Sequence, residues 1–135
     1  MISPPRAEIV SVRAEQDIVL VRQRVRALTV ALKFSLVEQT KMVTAASELA
    51  RNMWIYGKGG AVTLTVVEDG GRHGVRVKFA DGGPGIPSIE EALRDGFTTG
   101  GSMGLGLGGA RRLVNDFEIH SKPGEGTRVT ITRWK

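Results

Sequence analysis

The sequence predicts an α/β sandwich (α+β) in a single domain spanning residues 1–135: one mixed, mostly antiparallel sheet with helices packed on one face. Three observations carry this. Apolar residues recur every second position in the segments that read as strands. They recur every three to four positions in two long intervening segments. The strands after those helices pair as hairpins through glycine-rich turns.

Residues 7–13 alternate, with Ile9 and the pair Val10/Val12 among polar neighbours, and form the first predicted strand. Residues 15–33 carry Ile18, Val21, Val25, Leu28 and Leu32, the spacing of a helix that packs along one side. Ser35-Leu36-Val37-Glu38 is a capping box, in which the serine accepts from a first-turn amide and the glutamate reaches back. The helix it opens should reach about Tyr56, where Gly57, Gly59 and Gly60 end it, with Val43, Ala46, Ala50 and Met53 as its buried stripe. Val62, Leu64 and Val66 share one face of the next strand, and Val75, Val77 and Phe79 one face of its partner. Asp69-Gly70-Gly71-Arg72-His73 supplies the turn between them. A loop over 81–87, a short helix over 88–94, a glycine-rich lid over 96–103 and a helix over 105–115 follow. The chain closes on a hairpin of 117–121 and 127–133 around Pro123-Gly124-Glu125-Gly126.

Composition removes several classes of chemistry. The 135 residues include no cysteine, which excludes disulfides, zinc–thiolate sites and thiol nucleophiles. His73 and His120 lie too far apart in sequence to form a metal-ligand motif. No apolar run approaches the ~20 residues of a membrane span, and the opening MISPPRAE has no signal-peptide core, so a soluble cytoplasmic protein is expected. The net charge of +5 is spread along the chain and aromatics make up only 5%, which argues against nucleic acid as ligand. Glycine is the informative residue: ten of the 18 fall between Gly82 and Gly109. Ile86, Ile89, Leu93, Phe97, Leu105 and Leu107 are interspersed there, so the stretch reads as a structured loop system rather than a linker.

Three segments carry chemistry. Glu48 and Asn52 stand four apart on the second long helix and project from nearly the same side. An amide oxygen can ligate Mg²⁺, and a carboxylate beside it can take a proton from an attacking hydroxyl or water. Asp81-Gly82-Gly83-Pro84-Gly85-Ile86 ends a strand with a carboxylate that can accept from an exocyclic amine, in a turn that lets backbone approach a planar ligand. Gly104-Leu105-Gly106-Leu107-Gly108-Gly109 opens a helix whose free amides suit phosphate. The text of a dinucleotide fingerprint lies within it, but Gly104 follows a loop rather than a strand, and there is no Walker-type motif.

In this order the segments resemble the asparagine box and the two glycine boxes of the GHKL ATPase superfamily, the gyrase, Hsp90, histidine-kinase and MutL type. The resemblance spans roughly residues 15–133 and implies a Bergerat ATP-binding fold. Ser47-Glu48-Leu49-Ala50-Arg51-Asn52, Gly82-Gly83-Pro84-Gly85-Ile86-Pro87, Asp95-Gly96-Phe97-Thr98-Thr99 and Gly104-Leu105-Gly106-Leu107 look like the small bacterial switch kinases of the RsbT type, which are related to anti-sigma factors. That likeness implies an ATP–Mg²⁺-dependent serine/threonine kinase that acts on a STAS-domain antagonist and, once released, activates a PP2C-type phosphatase. Carried over by position, it implies Glu48 as general base, Asn52 as Mg²⁺ ligand and Asp81 at adenine, with Gly83 and Gly85 shaping that pocket. Gly104, Gly106 and Gly108 would sit at the phosphates, and Thr127 resembles the threonine that the family places near adenine. Lid closure over 96–103 is expected to couple nucleotide to partner affinity. The sequence ends just after the closing strand, which favours the switch kinase over a factor that holds a sigma factor. The long helices contain no histidine, which argues against a histidine kinase; an adaptor without turnover is the remaining alternative.

Overall fold

The structure is a computed structural model and describes residues 7–86, 88–93 and 106–135. Strand β1 (Ala7–Val12) leads into helices α1 (Gln16–Ala31) and α2 (Leu36–Tyr56). The hairpin β2 (Gly60–Asp69) and β3 (Arg72–Asp81) comes next, then the short helices α3 (Ile89–Ala92) and α4 (Gly106–Arg112). Strands β4 (Asp116–Lys122) and β5 (Gly126–Trp134) complete the chain. The strands form one sheet in the order β1-β2-β3-β5-β4.

Every described strand pair is antiparallel, so the parallel pair that a mixed sheet would contain is not found among them. Antiparallel order holds because the helical crossover from β3 delivers the chain to the sheet edge at β4. The hairpin then returns β5 between β4 and β3. The sheet is thus α+β, with α1 and α2 contacting β1, β2 and β3, and α4 resting on α2.

Cross-strand register explains why one face is covered. Val10, Val62, Phe79, Val129 and Ile119 align in a row across all five strands, and Leu64, Val77, Ile131 and Phe117 align in the next. Directly opposed side chains share a face, so the two rows make one apolar surface. The helices bury it with Val21 and Val25 of α1 and with Met42, Val43, Ala46, Leu49, Ala50 and Met53 of α2. The reverse face carries Arg76, Lys78, Glu118, His120 and Arg128, all exposed. The two-residue turn Gly70-Gly71, both at positive φ, joins β2 to β3, and His73 lies within β3 rather than in the turn.

Helix boundaries follow local hydrogen bonding. Helix α1 ends at Ala31, short of the predicted Lys33, because Lys33 turns left-handed (φ 62°) and Phe34 N–H donates to the Thr29 carbonyl. The buried Phe34 then pins the turn against the core. Helix α2 opens as expected: Ser35 Oγ accepts from Glu38 N–H at 3.1 Å, and Glu38 Oε1 accepts from Ser35 N–H at 3.0 Å. Helix α4 is shorter than the predicted 105–115, since Leu113 N–H already bonds back to Ala110 in a turn. The lid over 96–103, the segment Asp95 to Thr99, Gly104 and Pro87 lie outside the described residues.

The Ser35 backbone N–H, reinforced by the Ser35 hydroxyl, holds the Glu38 carboxyl below its ordinary value of 4.5. A depressed carboxyl stabilises the fold at higher pH, and that contribution disappears as pH falls through the folded pKa. Glu38→Gln, which removes the titrating carboxyl, should therefore cost about 0.3–1 kcal/mol at neutral pH. In denaturant titrations, the difference between wild type and variant should shrink as pH falls below the ordinary value of 4.5.

Candidate functional site

The next residue row of the sheet, beyond the two apolar ones, is where the polarity changes. Register aligns Val12, Gly60, Asp81, Thr127 and Ser121 there, so Asp81 ends β3 on the same inward face as Val77 and Phe79. A carboxylate is thus built as the continuation of a core stripe. Its Oδ1 accepts from Gly83 N–H at 2.9 Å and from Thr127 N–H at 3.3 Å. Burial pushes the Asp81 carboxyl above its ordinary range, while those two N–H groups pull against the shift.

Asp81 also bears on the end of α2. A Cβ on Gly57, the C-cap of that helix, would collide with Asp81 Cγ, and it would lie 2.5 Å from Oδ2. Gly57 itself has φ −96°, so it does not serve as a left-handed stop; that turn falls on Lys58 (φ 62°) and Gly59 (φ 88°). Gly57 is needed for close approach. The predicted pocket residue Gly83 packs on it in turn, since its Cβ would come within 2.6 Å of Gly57 Cα.

The loop after Asp81 is docked on the β4–β5 hairpin. Gly85 takes φ 80° and lies so near the Lys122 carbonyl that a Cβ there would overlap it. Gly124 N–H donates to the Pro84 carbonyl at 2.7 Å, and Ile86 N–H to Ser121 Oγ at 2.8 Å. Ser121 Oγ also meets Thr127 Oγ1 at 2.8 Å. Asp81, Gly83, Gly85 and Thr127, expected together from sequence, are therefore brought together. Gly57 and Ser121 join them, and neither was foreseen. Gly57 read as a helix stop and Ser121 only as the end of a predicted hairpin strand.

Glu48 and Asn52 are both half-buried on α2. Asn52 precedes Gly57 by five residues, which is about 7.5 Å along the axis. Glu48 Oε2 is buried and has no hydrogen-bond partner among the described residues. A buried carboxylate oxygen left without a donor is costly in a finished fold and suits a group that meets its partner from outside. Of the glycines expected at phosphate, Gly106 begins α4 at φ 70° and Gly108 is buried within it; α4 packs on α2. Gly104 falls outside the described residues. Among the described residues no cluster of three or more His, Cys, Asp or Glu could cage a metal. A hard cation at Asn52 would complete its oxygen shell from phosphate and water, as Mg²⁺ commonly does.

Two outcomes follow from this packing. Gly57→Ala, which improves helix propensity, should nonetheless destabilise the protein by about 1–3 kcal/mol, read from urea unfolding, because the methyl displaces Asp81. Because the Asp81 pKa is raised on folding, the unliganded protein loses stability as pH rises from the ordinary value of 3.8 through the folded pKa. Asp81→Asn should remove that decline and leave thermal stability at pH 7 equal or higher.

Comparison with known proteins agrees with this architecture. Residues 37–135 match the family described as histidine kinase-, DNA gyrase B-, and HSP90-like ATPase. The chain is 41% identical over 125 residues to the serine/threonine-protein kinase RsbT of Bacillus subtilis, covering 93% of this chain and 94% of that one. It is 32% identical over 119 residues to an anti-sigma F factor of Anoxybacillus flavithermus, covering 83% and 80%. The crystal structure of the RsbU and RsbW domains of a Mycobacterium tuberculosis protein superposes with a TM-score of 0.65 at 20% identity, a likeness of fold. It covers 98% of this chain and 33% of the larger one. No described helix is long and apolar enough to cross a membrane. The chain belongs to the histidine kinase-, DNA gyrase B- and HSP90-like ATPase family.

Proposed function

We propose that this chain is an ATP–Mg²⁺-dependent protein serine/threonine kinase that phosphorylates a STAS-domain antagonist. In this reading its release activates a downstream PP2C-type phosphatase in a bacterial partner-switching pathway. The observation that carries it is the buried Oε2 of Glu48, which has no hydrogen-bond partner among the described residues, on the helix whose cap bears on Asp81. The 41% identity to a protein named serine/threonine-protein kinase supports protein as the acceptor.

The roles follow from donor and acceptor chemistry. Asp81 Oδ1 is engaged by Gly83 and Thr127 N–H groups, so Oδ2 is the oxygen that accepts from the adenine amine. Gly83 and Gly85 keep the loop low against the α2 cap and the hairpin, and Thr127 lies opposite Asp81 on the adjoining strand. Gly104, Gly106 and Gly108 receive the phosphates. The Asn52 amide oxygen would hold Mg²⁺, which would supply positive charge to offset that of the phosphates. Glu48 takes the proton of the acceptor hydroxyl. ATP as donor makes the cytoplasm the working compartment, and neither nucleic acid nor membrane has a part in the reaction.

A second reading is an anti-sigma factor that holds a sigma factor directly. It is favoured by relatives of that name at about a third identity. Pull-downs with sigma factor and with STAS protein in parallel separate the two.

The test is transfer of radiolabel from ATP–Mg²⁺ to a STAS protein, analysed for phosphoserine and phosphothreonine. ATP–Mg²⁺ at 100 times its dissociation constant should add about 2.7 kcal/mol of stability. Asp81→Asn should lose most of that gain: its Oδ1 must still serve the two N–H groups, which turns the amide NH₂ toward adenine. Glu48→Ala should keep binding and slow transfer, because a general base acts in the transition state. Normal transfer by Glu48→Ala would remove it from the base role, and binding without label transfer would favour an adaptor.

A further inference from the structure

The hydroxyl protons beside Asp81 can be assigned by counting. Ser121 Oγ has three partners: Ile86 N–H at 2.8 Å, the Gly126 carbonyl at 3.1 Å and Thr127 Oγ1 at 2.8 Å. A serine hydroxyl has one proton and two lone pairs. The amide of Ile86 can only donate, so it takes one lone pair. The Gly126 carbonyl can only accept, so it takes the serine proton. The bond between the two hydroxyls must then use the Thr127 proton. The opposite assignment would leave the Gly126 and Ser121 oxygens facing each other with no proton between them.

This fixes what Thr127 presents elsewhere. With its proton committed to Ser121, Thr127 Oγ1 meets any further partner only as an acceptor. Asp81 is an acceptor too, with Oδ1 already engaged by two backbone N–H groups. Asp81, Thr127 and Ser121 are consecutive neighbours in one row of the sheet, so their side chains share the inward face. A wall of acceptors matches a ligand edge that carries donors and opposes one that carries a carbonyl oxygen. At position 6 a 6-aminopurine brings two N–H donors on one nitrogen, whereas a 6-oxopurine brings the lone pairs of a carbonyl oxygen.

We propose that Ser121 is a positioning residue for base selection: by taking the Thr127 proton it holds the Thr127 hydroxyl as an acceptor beside Asp81, so that the site selects 6-aminopurine over 6-oxopurine nucleotides. The proposal rests on the nucleotide reading of the site and adds a residue that lies outside the three sequence motifs. Ser121 acts through Thr127 and need not touch the ligand. Its bond to Ile86 also braces the loop, and the test must separate that bracing from the proton effect.

Dissociation constants for ATP and GTP with Mg²⁺, measured by calorimetry on the full chain, provide the test. Wild type should prefer ATP strongly. Ser121→Ala frees the Thr127 proton to donate, and the GTP/ATP ratio of dissociation constants should narrow about tenfold, the scale of one misdirected hydrogen bond in a buried site. Ser121→Thr, which keeps the hydroxyl, should retain the ratio. In a Thr127→Val background, Ser121→Ala should leave the ratio unchanged within about twofold, because the group it acts through is gone. Uniform weakening of both nucleotides by Ser121→Ala would reduce Ser121 to a brace and overturn the proposal, as would an effect that persists in the Thr127→Val background. Should Ser121→Ala fail to fold, Thr127→Ser must keep the ratio and Thr127→Val must lose it; wild-type selectivity in Thr127→Val overturns the proposal. A wild-type protein that binds neither nucleotide defeats the nucleotide reading as well, whereas strong ATP binding with an unaltered ratio defeats this proposal alone.

Discussion

The contact on which the site depends is that of the Asp81 carboxylate with the cap of α2 at Gly57. It joins the end of a central strand to the end of the longest described helix through the Asp81 side chain. Through it the helix that carries Glu48 and Asn52 is indexed to the strand that carries Asp81. The loop glycine Gly83 completes the contact by packing on the same cap. Any atom added at Gly57 would meet the Asp81 side chain and displace it from the cap.

The sheet explains why a carboxylate can occupy that position. Two rows of apolar side chains run across the strands beneath the helices, and the third row changes from Val12 to Asp81, Thr127 and Ser121. The core and the site share one surface, divided by a single step of the pleat. Burial penalises the charged carboxylate, and the N–H groups of Gly83 and Thr127 recover part of that penalty. Glu48 shows the same logic on the helix side, with an oxygen removed from water and given no donor by the described residues. Asp81 is served by two N–H groups, whereas the Glu48 oxygen has no partner among the described residues.

Much of the fold was legible because its elements rest on local rules. The period-two strands, the glycine pair between β2 and β3, and the Ser35–Glu38 capping box each involve residues within four positions of one another. Ends set by tertiary packing were less legible. Lys33 and Lys58 adopt left-handed turns where glycine is the usual occupant, because Phe34 and the Gly57 contact decide where the helices must stop. The sheet was expected to be mixed and mostly antiparallel, with strands that pair mainly as hairpins. The insertion of β5 between β3 and β4 makes every described pair antiparallel instead.

By itself the sequence determined the three chemical segments, their order and the elements that carry them, because acid–amide spacing on a helix and glycine spacing in a turn are properties of neighbouring residues. Tertiary structure alone decided that Gly57 is a contact rather than a stop, and that Ser121 faces Thr127. Those facts arise from register and from the approach of elements distant in the chain: Ser121 reaches Ile86 across 35 residues, and Asp81 reaches Thr127 across 46. No local pattern records which serine on an alternating strand will be opposed by which threonine. Strand pairing makes that choice, and with it the direction of the proton between them.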